Sequence, residues 1–381
     1  MQILLSGLAA LALAHGDVPA QAPEPSVESV YAIRAKTVIV GDGTVLEDGV
    51  VIIEGDSIRN VGTDLSVPEG ALTLDHPGVL TAGLVAPHSI LLPPGERTDA
   101  TDPFMPELEL RYGFDPSRDE LEEALEHGVT TAVLTGGSDE VVSGLAAVVQ
   151  THGGTVLAPR SHLTLSVSSA AAGNDRYPTS YAGIVRELRQ RFSSAEDGPY
   201  AQARSGELSV LIHAGDNDEV QRAFALTRLN GLRGALLGPA RVGEQLEALR
   251  SSGLGVVFPV FGTGVSERTL DAMVAVVNSD VEFSFALTDP TRLRTSAAIL
   301  ARRGGDLGRL LEALTAGGAR IAGVDDQVGT LARGKRADLC LWSGHPLDLT
   351  SELEAVIVGG ERVARPHADH DHAHDHDGDD Q

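Results

Sequence analysis

Histidine is the residue type that first suggests chemistry in this 381-residue chain. His88 ends the apolar part of GLVAPHSILL, so its imidazole would emerge at the carboxyl end of a buried strand. Neutral imidazole is the commonest metal ligand in proteins. The alternative for a single histidine of this kind is a packed side chain without any ligand. His88 is therefore a candidate metal ligand whose partners must come from other parts of the chain.

A second group of histidines lies at the carboxyl terminus, in PHADHDHAHDHDGDDQ. Residues 366–381 are polar and of low complexity, so we expect them to be disordered by themselves. Alternating imidazole and carboxylate groups suit Zn²⁺, Ni²⁺ or Cu²⁺, although a tail that only aids solubility is the alternative. The candidate ligands of this tail are His367, His370, His372, His374 and His376.

The elements that would position His88 occupy residues 83–327, where apolar runs alternate with amphipathic stretches. TTAVLTGG, LSVLIHAG, RGALLG, GVVFPVF and EFSFALTDP have the composition of buried parallel strands. The segment TGGSDEVVSGLAAVVQTHGG instead suggests a flexible Gly/Ser-rich loop. An alternation of this length is typical of a (β/α)8 TIM-like barrel, whose reactive side chains lie at the carboxyl ends of the strands. A doubly wound open sheet is the competing topology, but no G-x-G-x-x-G follows a strand.

Two β-rich segments flank this barrel. Residues 31–82 and 328–365 both contain short β-branched runs separated by Gly-containing turns. Because each segment is too small to close a hydrophobic core alone, we predict one composite β-sandwich built from both ends of the chain.

The amino terminus favours export. Residues 1–14 form an apolar stretch that ends in Ala-Leu-Ala, as in a secretory signal peptide, although it lacks a basic start. A Pro/Ala/Glu-rich linker follows over residues 15–30. We expect a periplasmic or secreted protein, or a cytoplasmic one if the signal is not functional. No stretch has the roughly 18 apolar residues of an integral membrane span.

The net charge and the cysteine content exclude further classes of binding surface and of structural site. The formal net charge of −25 argues against a nucleic-acid surface, because a protein of this charge repels phosphate. Cys340 is the single cysteine, so neither an intrachain disulfide nor a cysteine-based zinc cluster can form. The expected partners are a small molecule and divalent metal ions, with a homo-oligomer as a further possibility.

The order of these pieces resembles the amidohydrolase superfamily, particularly its imidazolonepropionase-like members. GVLTAGLVAPHSIL is similar to the family's first barrel strand, PGLIDAHSH, and GVTT to its next strand. VGTLARGKRADLCLWSGHPL resembles the family's return into the sandwich. The resemblance covers nearly the whole chain after the amino-terminal segment. It implies a barrel with a composite sandwich that hydrolyses non-peptide C–N bonds, in amides or cyclic amidines, with one or two divalent metals.

The family's metal ligands can be placed on this sequence one by one. An H-x-H pair on a strand directs both imidazoles to one ion, because residues i and i+2 point to the same side. His88 matches the first histidine, but Ile90 stands at the second position. His213 in VLIHAG matches the fifth-strand ligand, whereas RGALLG lacks a sixth-strand histidine. Asp289 in FALTDP matches the eighth-strand aspartate that acts on the water.

The remaining set implies at most one metal. No lysine occurs between Lys36 and Lys335, so a bridging carboxylated lysine is absent from the barrel. His88, His213 and Asp289 would hold one divalent ion, most suitably Zn²⁺, with Asp289 as the general base. Two alternatives stay open: a catalytically inactive binding or structural protein on the same fold, and a metal-handling protein that works through its tail.

Overall fold

The computed structural model describes residues 30–99, 101–173 and 176–364. The predicted signal segment and the histidine-rich tail lie outside the described residues, as do the tail ligands His367, His370, His372, His374 and His376. In the described part of the chain, no helix is both long enough and apolar enough to cross a membrane.

Strands and helices alternate through most of the described chain. The first strands are β1 (Val30–Ile39), β2 (Val45–Glu54), β3 (Ser57–Gly62), β4 (Leu72–Ala82), β5 (Leu84–Ser89), β6 (Val129–Leu134), β7 (Val142–Gln150) and β8 (Val156–Ser166). They are followed by β9 (Ser209–His213), β10 (Gly234–Leu237), β11 (Gly255–Phe258), β12 (Phe283–Phe285), β13 (Leu339–Trp342), β14 (Leu353–Val358) and β15 (Glu361–Ala364). The α-helices are α1 (Asp119–Glu126), α2 (Tyr181–Ser194), α3 (Gly198–Ser205), α4 (Asn217–Asn230), α5 (Leu246–Ser252), α6 (Glu267–Val277), α7 (Leu293–Arg302), α8 (Leu307–Leu314) and α9 (Ala316–Ala322).

One sheet combines strands from both ends of the chain. Its seven strands have the order β15-β14-β13-β4-β1-β2-β3, so β13 from the carboxyl-terminal part pairs with β4. One face carries a buried cluster that includes Ile33, Val51, Leu80 and Leu339. We call this seven-stranded sheet the terminal sheet. Neither end supplies enough apolar surface for the cluster by itself, which is why the two ends are joined in one β domain.

The second sheet is the predicted barrel. Its eight strands run in the order β12-β11-β10-β9-β8-β7-β6-β5. A parallel bridge between Ser89 and Leu287 connects the last strand region to β5 and nearly closes the ring. The backbone N–H of Leu287 donates to the carbonyl of His88 at 2.7 Å. The predicted TIM-like barrel with a separate β domain is therefore confirmed.

The barrel departs from regular β/α alternation at one place. Residues 142–150 were expected in a flexible loop, but they form the fully buried strand β7. This strand pairs antiparallel with both β6 and β8. The loop prediction was wrong because it gave the glycine and serine residues more weight than the apolar run LAAVV, which is buried on both faces.

A close helix contact supports β5, the strand that carries His88. Helix α8 ends at Leu314 and α9 begins at Ala316, so the amphipathic stretch of residues 306–323 forms two helices. A Cβ atom at Gly318 would lie 2.2 Å from the carbonyl oxygen of Val85. Glycine is therefore required there, because any side chain would push α9 away from β5.

Candidate site at the carboxyl end of the barrel

His88 is fixed by a threonine from the neighbouring strand region. The side chain is buried at the end of β5, and its Nδ1 lies 2.5 Å from Oγ1 of Thr135. The Thr135 hydroxyl donates to the carbonyl oxygen of Ser89 at 3.1 Å. Because a hydroxyl has one proton to donate, Thr135 must accept from His88, so Nδ1 carries the proton. The lone pair of His88 is then on Nε2.

His213 ends β9 and lies beside His88. The two ring centroids are 5.5 Å apart, with the planes inclined by 81°. Nε2 of His213 is 3.0 Å from the carbonyl oxygen of Gly136. A carbonyl can only accept, so this nitrogen carries the proton and the lone pair is on Nδ1. The fold therefore brings the two predicted barrel histidines together and fixes a tautomer for each.

Both imidazoles are neutral at physiological pH. Burial lowers the pKa of His88 well below its usual value, and the neighbouring His213 and Arg97 lower it further. Burial likewise lowers the pKa of His213 to about 4, although the Gly136 carbonyl opposes this effect. The pair can accept hydrogen bonds or ligate a cation, but it does not itself supply positive charge.

Asp289 is held by its own turn. Its Oδ1 accepts from the backbone N–H and the hydroxyl of Thr291, at 3.1 and 2.5 Å. Its Oδ2 lies 2.7 Å from Nε of Arg292. The Thr291 hydroxyl, above all, holds the pKa of Asp289 below its usual value. Both carboxylate oxygens therefore already have partners within three residues of Asp289.

The three predicted barrel ligands do not form one metal group. Across the described ranges, no three His, Cys, Asp or Glu side chains are placed to hold a metal ion together. His88 and His213 meet, but Asp289 does not complete a set with them. Ile90 is 42% exposed where a second imidazole would be expected. Since catalytic zinc commonly has three protein ligands, the residues at this site do not fit a tightly held catalytic ion.

Arg97 is a site residue that the sequence did not reveal. Its backbone carbonyl accepts from the N–H of Gly137 at 2.8 Å, which holds its loop against the end of β6. A Cβ atom at Gly137 would lie 2.5 Å from Cγ2 of Thr98, so glycine permits this approach. The Nε of Arg97 is buried and has no hydrogen-bond partner among the described residues. Thr135 was missed as well, but its place at the end of a barrel strand was a usable signal.

A cavity opens beside this group. It has a volume of about 250 Å³ and lies between the segment after β5, helix α1 and the turn after β12. We call it the mouth cavity. Its lining residues are Ile90, Leu91, Leu92, Pro94, Arg97, Arg118, Glu120, Glu123, Ala124, Leu287, Thr288 and Pro290. Arg97 thus connects the cavity electrostatically with the histidine pair, since its charge lowers the pKa of both imidazoles.

Comparison of the sequence with known families gives a match over residues 202–363. The matching model is that of the amidohydrolase family. A curated relative, the 5-methylthioadenosine/S-adenosylhomocysteine deaminase of Desulforudis audaxviator (strain MP104C), is 47% identical over 55 residues. That alignment covers 13% of this chain and 13% of the relative.

Solved structures share the fold over most of the chain. An amidohydrolase from Thermotoga maritima MSB8 superposes with a TM-score of 0.78 and 21% identity, over 88% of this chain and 100% of that one. The A. niger ochratoxinase gives a TM-score of 0.56 and 16% identity, over 90% of this chain and 97% of that one. At these identities the likeness shows the fold alone. Together with the family match over residues 202–363, it confirms the predicted resemblance to the amidohydrolase superfamily.

Proposed function

Residues 202–363 are an amidohydrolase-family domain in a chain with the amidohydrolase fold, and we propose that the chain binds a small organic anion without a catalytic metal of its own. The observation that carries this proposal is the composition of the barrel mouth. Only two histidines, both neutral, lie together where a metal centre would need three ligands, and the charge of Arg97 is near enough to lower the pKa of both.

Electrostatics at the mouth favour an anion over a dication. Arg97 is charged at neutral pH even though burial lowers its pKa, because an arginine pKa is normally above 12. Its positive charge would repel Zn²⁺ placed between the imidazoles. A carboxylate would instead gain charge-assisted hydrogen bonds from the guanidinium of Arg97, a residue that lines the adjoining cavity.

A second candidate function is that of a single-metal hydrolase of non-peptide C–N bonds. It is favoured by the closeness of His88 and His213, whose lone pairs on Nε2 and Nδ1 are available for a ligand. Such a centre would need Asp289 to leave Thr291 and Arg292, or a ligand from outside the barrel. The family relationship supports this alternative, and the present arrangement of side chains supports the first proposal.

The proposals for the chain termini are separate from the barrel. The histidine-rich tail would bind divalent metal ions weakly, and the amino-terminal segment would direct export. Because a metal-binding tail would obscure the state of the barrel, any metal measurement must separate the two.

Zinc binding to two forms of the chain tests the proposal. One form is the wild type, and in the other His367, His370, His372, His374 and His376 are all replaced by asparagine. After incubation with Zn²⁺ and gel filtration, elemental analysis should find no stoichiometric zinc in the tail variant. If the tail variant retains about one zinc per chain, and the further change His213→Ala removes it, the proposal is wrong and the single-metal hydrolase takes its place.

A further inference from the structure

The mouth cavity has one continuous apolar wall. Ile90, Leu91, Leu92 and Pro94 follow β5, and Leu287 follows β12 on the adjacent side of the barrel seam. The volume of about 250 Å³ has room for about eight water-sized groups. A cavity of this size suits a small molecule and not a peptide.

Ile90 is the member of this wall that most needs an explanation. It stands two residues after His88 and keeps 42% of its surface exposed. The neighbouring Leu91 and Leu92 are almost completely buried, with 4% and 2% exposed. An exposed isoleucine at the end of a barrel strand loses the stabilisation of about 25 cal/mol per Å² that burial would give. A ligand with a hydrocarbon part would cover this surface.

The charged residues of the lining indicate which chemical group the other end of such a ligand would carry. Arg118 forms an ion pair with Glu120, so these two side chains compensate each other. Glu123 also lines the cavity, from the exposed side of α1. Arg97 contributes a further positive charge to the same lining as Ile90. The lining therefore places arginine side chains beside apolar ones in one cavity.

We propose that the mouth cavity binds the hydrocarbon part of a small aliphatic carboxylate and that Ile90 sets this preference. The proposal rests on the proposed function, since it identifies the class of anion that the barrel binds. The carboxylate contacts Arg97, and the alkyl chain lies against Ile90, Leu92 and Leu287. The residue that replaces a metal-binding histidine would thus have become a specificity-determining residue.

Isothermal titration calorimetry with a graded series of carboxylates tests this inference on the full chain. The probes are acetate, butanoate, 4-methylpentanoate and dodecanoate, with 4-methylpentanamide as the uncharged counterpart. The affinity should rise about fourfold for each methylene that enters the cavity. The gain should stop before dodecanoate, which exceeds the cavity volume. The amide should bind more weakly than 4-methylpentanoate, because it cannot pair with Arg97.

Two variants show whether Ile90 is responsible for the preference for an alkyl chain. Ile90→Ala should weaken binding of 4-methylpentanoate about tenfold while leaving acetate unchanged. The matched control is Leu72→Ala, which removes another exposed aliphatic side chain, on β4 in the terminal sheet, and should change neither affinity.

The outcomes separate this inference from the proposed function. Affinities that do not depend on chain length or on Ile90 would overturn the inference, while carboxylate binding itself would still support the proposed function. A lack of binding by every carboxylate at millimolar concentration would overturn the inference as well. Stoichiometric zinc in the tail variant would overturn the proposed function alone, because the dependence on chain length and on Ile90 is measured independently of metal.

Discussion

Thr135 holds His88 through a hydrogen bond of 2.5 Å between Oγ1 and Nδ1. The same hydroxyl donates to the carbonyl oxygen of Ser89. One side chain from the end of β6 therefore fixes both the ring and the backbone at the end of β5. This contact determines which nitrogen of His88 carries the proton.

Replacing Thr135 tests this role. Thr135→Val keeps the shape but leaves the His88 Nδ1–H and the Ser89 carbonyl without a partner. We expect the free energy of unfolding to fall by about 1–3 kcal/mol, as measured by urea denaturation. Thr135→Ser keeps the hydroxyl and should recover most of the loss. A larger loss for Thr135→Ser than for Thr135→Val would show that the methyl group, and not the hydrogen bond, is important.

A different histidine should make stability depend on pH. His162 is buried, with Nε2 2.8 Å from the carbonyl oxygen of Ile321, and burial lowers its pKa to about 4. In the unfolded chain its pKa is about 6.5. Between these values the unfolded state binds more protons, so the free energy of unfolding should fall as the pH drops from about 6.5 to about 4. The His162 contribution is at most about 3 kcal/mol.

Chemical denaturation of two variants across this pH range measures the effect. His162→Gln should reduce the slope of the free energy of unfolding against pH by the contribution of one proton. The control is His152→Gln, which changes an exposed histidine and should leave the slope as in the wild type. If the His162 variant retains the wild-type slope, the loss of stability has another origin.

A buried polar pair joins the barrel to the terminal sheet. Nε2 of Gln150 donates to both carboxylate oxygens of Asp338, at 3.2 and 3.0 Å, and the Gly359 N–H donates at 2.8 Å. Burial raises the pKa of Asp338. Gln150→Leu should cost about 1–3 kcal/mol of unfolding free energy, because it leaves a buried carboxylate with fewer donors. The double variant with Asp338→Leu should be less destabilised than the sum of the two single changes. Additive losses in this double-mutant cycle would exclude a direct coupling.

Asp289 should be dispensable for both stability and zinc binding. Its ion pair with Arg292 is partly exposed, and such pairs contribute about 0–1 kcal/mol. Asp289→Asn keeps an oxygen that can accept from Thr291, so unfolding in urea should change by less than about 1 kcal/mol. Zinc uptake by the tail variant should not change either. If the tail variant does retain stoichiometric zinc and Asp289→Asn removes it, Asp289 belongs to a metal centre.

The fold was predictable because the spacing of apolar residues along the sequence reflects which positions are buried. Alternating β-branched runs indicated the terminal sheet, and apolar strands between amphipathic helices indicated the barrel. Strand β7 was missed because Gly144 and Ser143 occur within it. Glycine and serine are both compatible with a strand that is covered by other elements. The local sequence does not show which elements cover it. The break between helices α8 and α9 at Thr315 is likewise not indicated by the amphipathic pattern of the sequence.

The site was predictable only in part. His88 was identified from its place at a strand end and His213 from the family resemblance, and the fold brings their rings together. Arg97 lies in a loop, where no periodic pattern indicates the direction of a side chain. Its approach depends on the backbone contact with Gly137, which lies 40 positions away in the sequence.

The sequence by itself determined what chemistry is excluded. It contains Ile90 in place of a histidine, no histidine in RGALLG, and no lysine between Lys36 and Lys335, so a two-metal centre has too few ligands. Only the tertiary structure decided how the remaining groups are used. It directed Asp289 to Thr291 and Arg292, joined the two imidazoles, and placed Arg97 beside Ile90 on one cavity. The physical reason is that the types of side chain limit which contacts are possible. The distances between side chains and their burial in the fold decide which of these contacts form.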